Sequence, residues 1–321
     1  MNSQVTGRRA FLKSVGATAA TIALHAQQSK RDPVPNSSGT EAPKFRVPAY
    51  ACDCHHHIYD ARFPFAQPAA PLLPNARVMD YRLLQRRIGT TRNIVVTPAP
   101  YPASFADNHV TLDAIGQFGS NARGVAIVSP AITDAELIAL GEGGIRGIRF
   151  SLALLKNAAA VMDEIEPLAK RVNALGWHVQ FNVTADQIVQ GEDLWKRLPT
   201  PLVFDHMGHM PQPMGIDHPA FKVIRRLVDK GKTWVKLSVT YDSSKVGPPT
   251  YADVNKVGQA YVRFAPERML WGSNWPHPNE TNKPDDALLF DLLAAWAPRE
   301  ATRHRILVEN PEALYGFAKS G

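Results

Sequence analysis

A chain of 321 residues, 45% hydrophobic and 20% charged, has an ordinary globular composition and is long enough for one large domain or two small ones. The formal net charge is +7, but Arg8, Arg9 and Lys13 lie in a terminal segment without acids, and the four charges left over are too scattered for a nucleic-acid surface. The two cysteines, Cys52 and Cys54, leave one face of one expected strand without pointing at each other, which excludes a disulfide framework.

Residues 1–26 join the twin arginine Arg8-Arg9 to Phe11, Leu12 and Lys13 and then to a weakly apolar run ending at Ala26. The pattern resembles a twin-arginine export signal, with Gly7 where Ser or Thr is usual, and implies a periplasmic protein. The alternative is a basic tail on a cytoplasmic one. The run is too short and too rich in Ala and Thr to span a bilayer, and no later stretch is long enough, so no membrane partner is expected of the mature form. Residues 27–48 are rich in Pro, Ser and charge and read as a flexible leader, leaving 49–321 as one domain.

Within that domain short apolar runs alternate with longer amphipathic ones. The runs AYACDCHH, RNIVVTPA, RGVAIVSP, GIRGIRFS, WHVQFNV, PLVFDHMG, TWVKLSV and RMLWGSN predict eight strands. Helical patterns lie between them, among them MDYRLLQRRIG, TDAELIALGEGG, AAAVMDEIEPLAKRVNALG, HPAFKVIRRLVDKG and YADVNKVGQAYVRF. Thr133 and Glu136 have the spacing of a capping box, and Gly176 and Gly231 stand where helix C-caps belong. Repeated βα units of this number and length predict an α/β fold, a (β/α)8 TIM-type barrel. A doubly wound open sheet is second, because no glycine-rich phosphate loop follows the first strand.

Active sites of such barrels lie at the C-terminal ends of the strands. Strand alternation puts Asp53, His55 and His57 on one face of the first strand and Cys52, Cys54 and His56 on the other. Later strand ends offer Arg149, His178 with Gln180, His206, Lys236 with Ser238 and Tyr241, and Asn274 followed by Trp275 and His277. Each alone has a bland explanation, a solvated loop histidine or a barrel salt bridge between Arg149 and Asp53 or Asp205. Their convergence on one mouth does not.

DCHHHIYD at strand one, RGIRF at strand four, DHMG at strand six, VKLS at strand seven, WGSNWPHP at strand eight and the closing ILVENPEALYGF together resemble the amidohydrolase superfamily. The branch is amidohydrolase-2, which includes 2-pyrone-4,6-dicarboxylate lactonase and galactarolactone isomerase, and the likeness runs from Tyr50 to Phe317. It implies hydrolytic or isomerising chemistry on a small carboxylated lactone. Matched position by position, the resemblance implies that His55, His57 and His206 correspond to its catalytic histidines and Arg149 to its carboxylate-binding arginine, while Asn274 stands where its strand-eight aspartate is usual, a departure.

That departure bears on the metal. Strand four ends in Arg149 rather than a ligand lysine and strand eight in a neutral amide, so the site as read lacks an anionic ligand and no metal is expected. A metal-dependent hydrolase or decarboxylase is the alternative. Without a metal, imidazoles and tyrosines such as Tyr101 and Tyr241 would stabilise the oxyanion formed at a lactone carbonyl. An amide at 274 cannot take a proton from water, so either a histidine is the base or a substrate hydroxyl attacks and the lactone migrates without hydrolysis. An inactive periplasmic binding protein is a further alternative. Extra arginines expected for a doubly carboxylated pyrone are missing, Leu154, Leu155 and Asp242 standing instead, which favours a substrate with one carboxylate and several hydroxyls. Asn108, beside Asp107, together with Gln180, Ser238, Tyr241 and His277, completes the expected substrate contacts. Asp205 should face away from the site, opposite His206.

Overall fold

The computed structural model describes residues 33–65, 75–153, 155 and 157–320. The expected export signal and Leu154 lie outside them. Eight strands, β1 (Cys52–His56), β2 (Arg92–Val96), β3 (Ala122–Ala126), β4 (Ile145–Ser151), β5 (His178–Asn182), β6 (Leu202–Phe204), β7 (Thr233–Leu237) and β8 (Met269–Trp271), form one sheet in chain order. Each successive pair is parallel. All eight fall on the apolar runs, and helices between them cover the outside, a TIM-barrel-like α/β fold.

The seam between β1 and β8 is bridged by backbone bonds from Asn274 N to His55 O at 2.7 Å and from His57 N to Trp275 O at 2.8 Å. Gly272 permits this approach, since a Cβ there would stand 2.6 Å from that of His55. Buried Asp53 fastens the same seam, accepting from Ser273 N at 3.0 Å, Ser273 Oγ at 2.6 Å and the Tyr81 hydroxyl at 2.9 Å.

The helices form for local reasons visible in the chain. Helix 134–142 starts on the Thr133–Glu136 capping box, both halves of which are present. Helix 219–229 has Pro219 at its first turn and buries Phe221, Ile224 and Val228 along one stripe. His218, its N-cap, accepts from Ala220 N through its ring. Residues 33–48, expected as a flexible leader, have no helix or strand, yet they are tied down. Trp275 Nε1 donates to Pro35 O at 2.7 Å, Arg87 Nη1 to Gly39 O at 2.6 Å, and Lys44 N to Asp291 Oδ1 at 2.7 Å. Both cysteines are free and buried. Among the described residues no helix is long and apolar enough to cross a membrane.

Candidate active site

The alternation expected along β1 fails at one place. The register with β2 shifts between Asp53 and His56, a bulge that adds a residue to one strand. Cys52 and Cys54 consequently pack inside the barrel with Ile94, Val96, Val125, Val203, Trp234 and Leu270, above Tyr315 and Phe317. Asp53 turns outward to Tyr81, and His56 stacks on the Tyr81 ring at 3.6 Å while its Nε2 meets Asn93 Oδ1 at 3.0 Å. Beyond the bulge His55 and His57 both point to the barrel mouth, their Nε2 atoms 3.3 Å apart.

Asp205 is the centre of the site, contrary to the expectation that it faces away. Its Oδ2 accepts from Arg149 Nε at 2.9 Å and Gln180 Nε2 at 3.0 Å. Its Oδ1 lies 3.3 Å from His55 Nδ1 and 3.7 Å from Lys236 Nζ. Strand β6 ends at Phe204, and His206, Met207, Gly208 and His209 then run through left-handed backbone, with φ of 53°, 54°, 69° and 48°. Such a turn costs roughly 1–3 kcal/mol per non-glycine residue, and it swings His206 back beside the Asp205 carboxylate, its ring 4.8 Å from that of His55.

Lys236, which the strand pattern offers without a role, lies wholly buried beneath this cluster. Its ammonium donates to Gln180 Oε1 at 2.7 Å and faces His55 Nδ1 at 3.3 Å. Burial lowers its pKa to about 8, with the Asp205 carboxylate opposing the shift. Burial also pushes Asp205 upward, but the Arg149 guanidinium, His55 and Lys236 outweigh it and hold the carboxyl well below its usual range. His57 falls to about 3, from burial and then the Arg149 charge, and burial chiefly holds His55 and His206 well below their usual range. The three imidazoles are therefore neutral near pH 7. His57 Nδ1 lies 2.8 Å from Val96 O, which places its proton there and leaves Nε2 as an acceptor. His206 Nδ1 lies 2.9 Å from Ser238 Oγ.

Arg149 spends only its Nε on Asp205. Its two terminal nitrogens bond to no described residue and are not shut off from the mouth. Across the mouth, Asn274 sits in left-handed backbone at φ 64°, a conformation that Asn tolerates better than most residues. Its Nδ2 donates to the Tyr241 hydroxyl at 2.9 Å. That hydroxyl also lies 3.0 Å from His277 Nδ1, and His277 Nε2 lies 3.2 Å from Asp286 Oδ2.

Several expected substrate contacts are instead engaged with protein. Asn108 donates to Ser104 O and Ile127 O and accepts from Ile127 N and Thr97 Oγ1, which exhausts its amide. Tyr101 donates to Glu164 Oε2 at 2.6 Å and pins its loop to helix 158–173. Gln180 bridges Asp205 and Lys236, Ser238 holds His206, and His277 is wholly buried behind Tyr241. His178 opens β5 at the opposite end of the barrel, edge-on to Tyr315. Trp271 is buried and packs on Phe290.

The donor set can accept a divalent cation. Ligand atoms of His55, Asp205 and His206 lie within 4.8 Å of one another, and Asp205 Oδ1 is buried without a hydrogen bond. Contrary to the expectation of a site without an anionic ligand, Asp205 supplies one from strand six rather than strand eight. The same nitrogens can also be satisfied by protein alone, with Lys236 donating to His55 Nδ1 and His55 Nε2 donating to His57 Nε2.

Comparison with known proteins agrees with this architecture. A 2-pyrone-4,6-dicarboxylate hydrolase of Comamonas testosteroni is 34% identical over 284 residues, covering 85% of this chain and 92% of its own. A D-galactarolactone isomerase of Agrobacterium fabrum is also 34% identical, over 87% of this chain and 94% of its own. A crystal structure of an Agrobacterium tumefaciens protein superposes with a TM-score of 0.75 at 31% identity, covering 87% of this chain and all of that one. The amidohydrolase family model matches residues 52–317, nearly the whole barrel. This chain belongs to the amidohydrolase family.

Proposed function

We propose that this enzyme is a metal-independent hydrolase of a small carboxylated lactone, and that the substrate carries one carboxylate and several hydroxyls. The observation that carries the reading is Arg149. Its fork of free nitrogens faces the mouth beside three neutral imidazoles, a carboxylate reader next to hydrogen-bonding groups that hold no charge of their own. With Ser238 donating to Nδ1, His206 carries its proton on Nε2 and offers it to the oxyanion that forms when the ring carbonyl is attacked. The Lys236 ammonium, 3.3 Å from His55, supplies positive charge below the same point. The relatives' names, a pyrone-dicarboxylate hydrolase and a galactarolactone isomerase, support a carboxylated lactone as the substrate, and the second supports the hydroxylated class.

Metal independence rests on Lys236 and Arg149, which already balance the Asp205 charge that a dication would otherwise meet. If a divalent cation binds, His55, Asp205 and His206 would hold it, and it would polarise the carbonyl as a Lewis acid. A second reading, ring migration of an aldarolactone, is favoured by Asn274, an amide where an acid would activate water. Export by the twin-arginine route to the periplasm is part of the proposal and rests on the Arg8-Arg9 segment alone.

A panel of aldonic, aldaric and pyrone lactones tests the reading. Wild-type protein turns over at least one, and His206→Ala loses that activity. Binding without turnover by wild type would instead mark a binding protein, and a pyrone dicarboxylate as best substrate would overturn the hydroxylated class.

A further inference from the structure

A buried carboxylate stands at the end of a chain of hydrogen bonds that reaches the mouth, and neither Arg149 nor the histidine cluster uses it. Asp286 opens helix 286–296 and is completely buried, with Oδ2 3.2 Å from His277 Nε2. A carboxylate beside Nε2 places the imidazole proton there, so Nδ1 is left as an acceptor. The Tyr241 hydroxyl, 3.0 Å away, donates to it. The phenol oxygen then accepts from Asn274 Nδ2 at 2.9 Å and keeps one lone pair for a further donor at the mouth, where Tyr241 is only half-buried.

We propose that Tyr241 is a catalytic proton carrier for the attacking hydroxyl, and that His277 and Asp286 are the positioning residues that let it act as a base. This inference rests on the lactone reading of the site. The step balances without an external reagent. As the oxygen of water or of a substrate hydroxyl bonds to the lactone carbonyl carbon, its proton passes to the Tyr241 oxygen, and the Tyr241 proton passes to His277 Nδ1. The imidazolium formed is paired with the Asp286 carboxylate, and no tyrosinate accumulates. When the carbonyl re-forms and the ring C–O bond breaks, the protons run back and Tyr241 protonates the leaving alkoxide.

The arrangement also explains why an amide can stand at position 274. Asn274 donates to the phenol and leaves its proton aimed at His277, whereas a carboxylate would accept that proton and turn the phenol away. The base lost from strand eight is then replaced by His277, three residues further along the same loop and reached through the Tyr241 hydroxyl.

A kinetic cycle tests the relay. General-base catalysis is worth roughly 100- to 10,000-fold, so Tyr241→Phe should lower kcat by about 100-fold with KM within a few-fold. Asp286→Asn should cost about 10-fold or more in the wild type and less than about 2-fold in the Tyr241→Phe background, since a relay broken at one link gains nothing from the next. Equal costs in both backgrounds would overturn the proposal and leave Asp286 a structural residue. If Asp286→Asn does not fold, His277→Asn serves, because it keeps an acceptor for Tyr241 in a left-handed position that Asn tolerates and cannot carry a proton. Nitrogen-15 NMR of His277 in the wild type is independent of any substrate. Protonation at Nε2 alone is expected, and a proton on Nδ1 would overturn the relay even if no lactone is turned over. Absence of turnover with the expected tautomer would instead count against the lactone reading.

Discussion

Asn274 and Tyr241 are joined by a 2.9 Å hydrogen bond in which the amide nitrogen donates to the phenol oxygen, across the mouth from Arg149. The bond gives the strand-eight amide a definite task, orienting a hydroxyl rather than removing a proton. Asn274→Asp keeps the left-handed backbone, which Asp also tolerates, but puts an acceptor where the amide donates and draws the Tyr241 proton away from His277. The expected outcome is a fall in kcat of about 10-fold or more with KM within a few-fold, because the relay is broken at its first link. An unchanged or higher kcat would show that the phenol proton need not point at His277.

Arg149→Lys separates two roles of one side chain. Lysine can keep an ion pair with Asp205 but loses the planar fork that reads a carboxylate with its free nitrogens. KM should rise by about 10- to 100-fold with a smaller change in kcat, matching one or two charge-assisted bonds. A fall confined to kcat would mean that Arg149 serves Asp205 alone.

Lys236 links pH to both activity and stability, in opposite directions. Its folded pKa of about 8 lies below the 10.5 of a free lysine, so between these values the unfolded chain binds more protons than the folded one and stability rises with pH. The burial penalty removed across that window is on the order of 3 kcal/mol. Activity should fall over the same range, as the ammonium facing His55 and Asp205 loses its charge. Urea midpoints and kcat from pH 7.5 to 10.5 check this, and Lys236→Met should flatten the stability change. Parallel loss of both quantities in the wild type would contradict it.

Much of the barrel was legible because each strand is a short apolar run bounded by turn residues and each long helix carries its own cap or stripe. Less of the site was. The β1 bulge has no local signal in CDCHHH, and it alone moves Asp53 out of the barrel and the two cysteines into it. Alternation separates Asp205 from His206 only if β6 continues, whereas the strand stops at Phe204 and a left-handed turn makes both converge. Lys236 had a readable signal: TWVKLS alternates Trp234, Lys236 and Ser238 onto one face, and Trp234 is inside the barrel. The contacts of Asn108 and Tyr101 depend on residues up to 63 positions away, which no local pattern reveals.

Metal-independent hydrolysis is measured most directly as lactone turnover in heavy-oxygen water by protein stripped of metal, with metal content determined alongside. Stripped enzyme should consume a hydroxylated monocarboxylate lactone at the rate of untreated enzyme, with one heavy oxygen entering the open-chain acid. Activity that vanishes on stripping and returns with stoichiometric zinc or manganese would contradict metal independence, and an unlabelled lactone as the product would replace hydrolysis with ring migration.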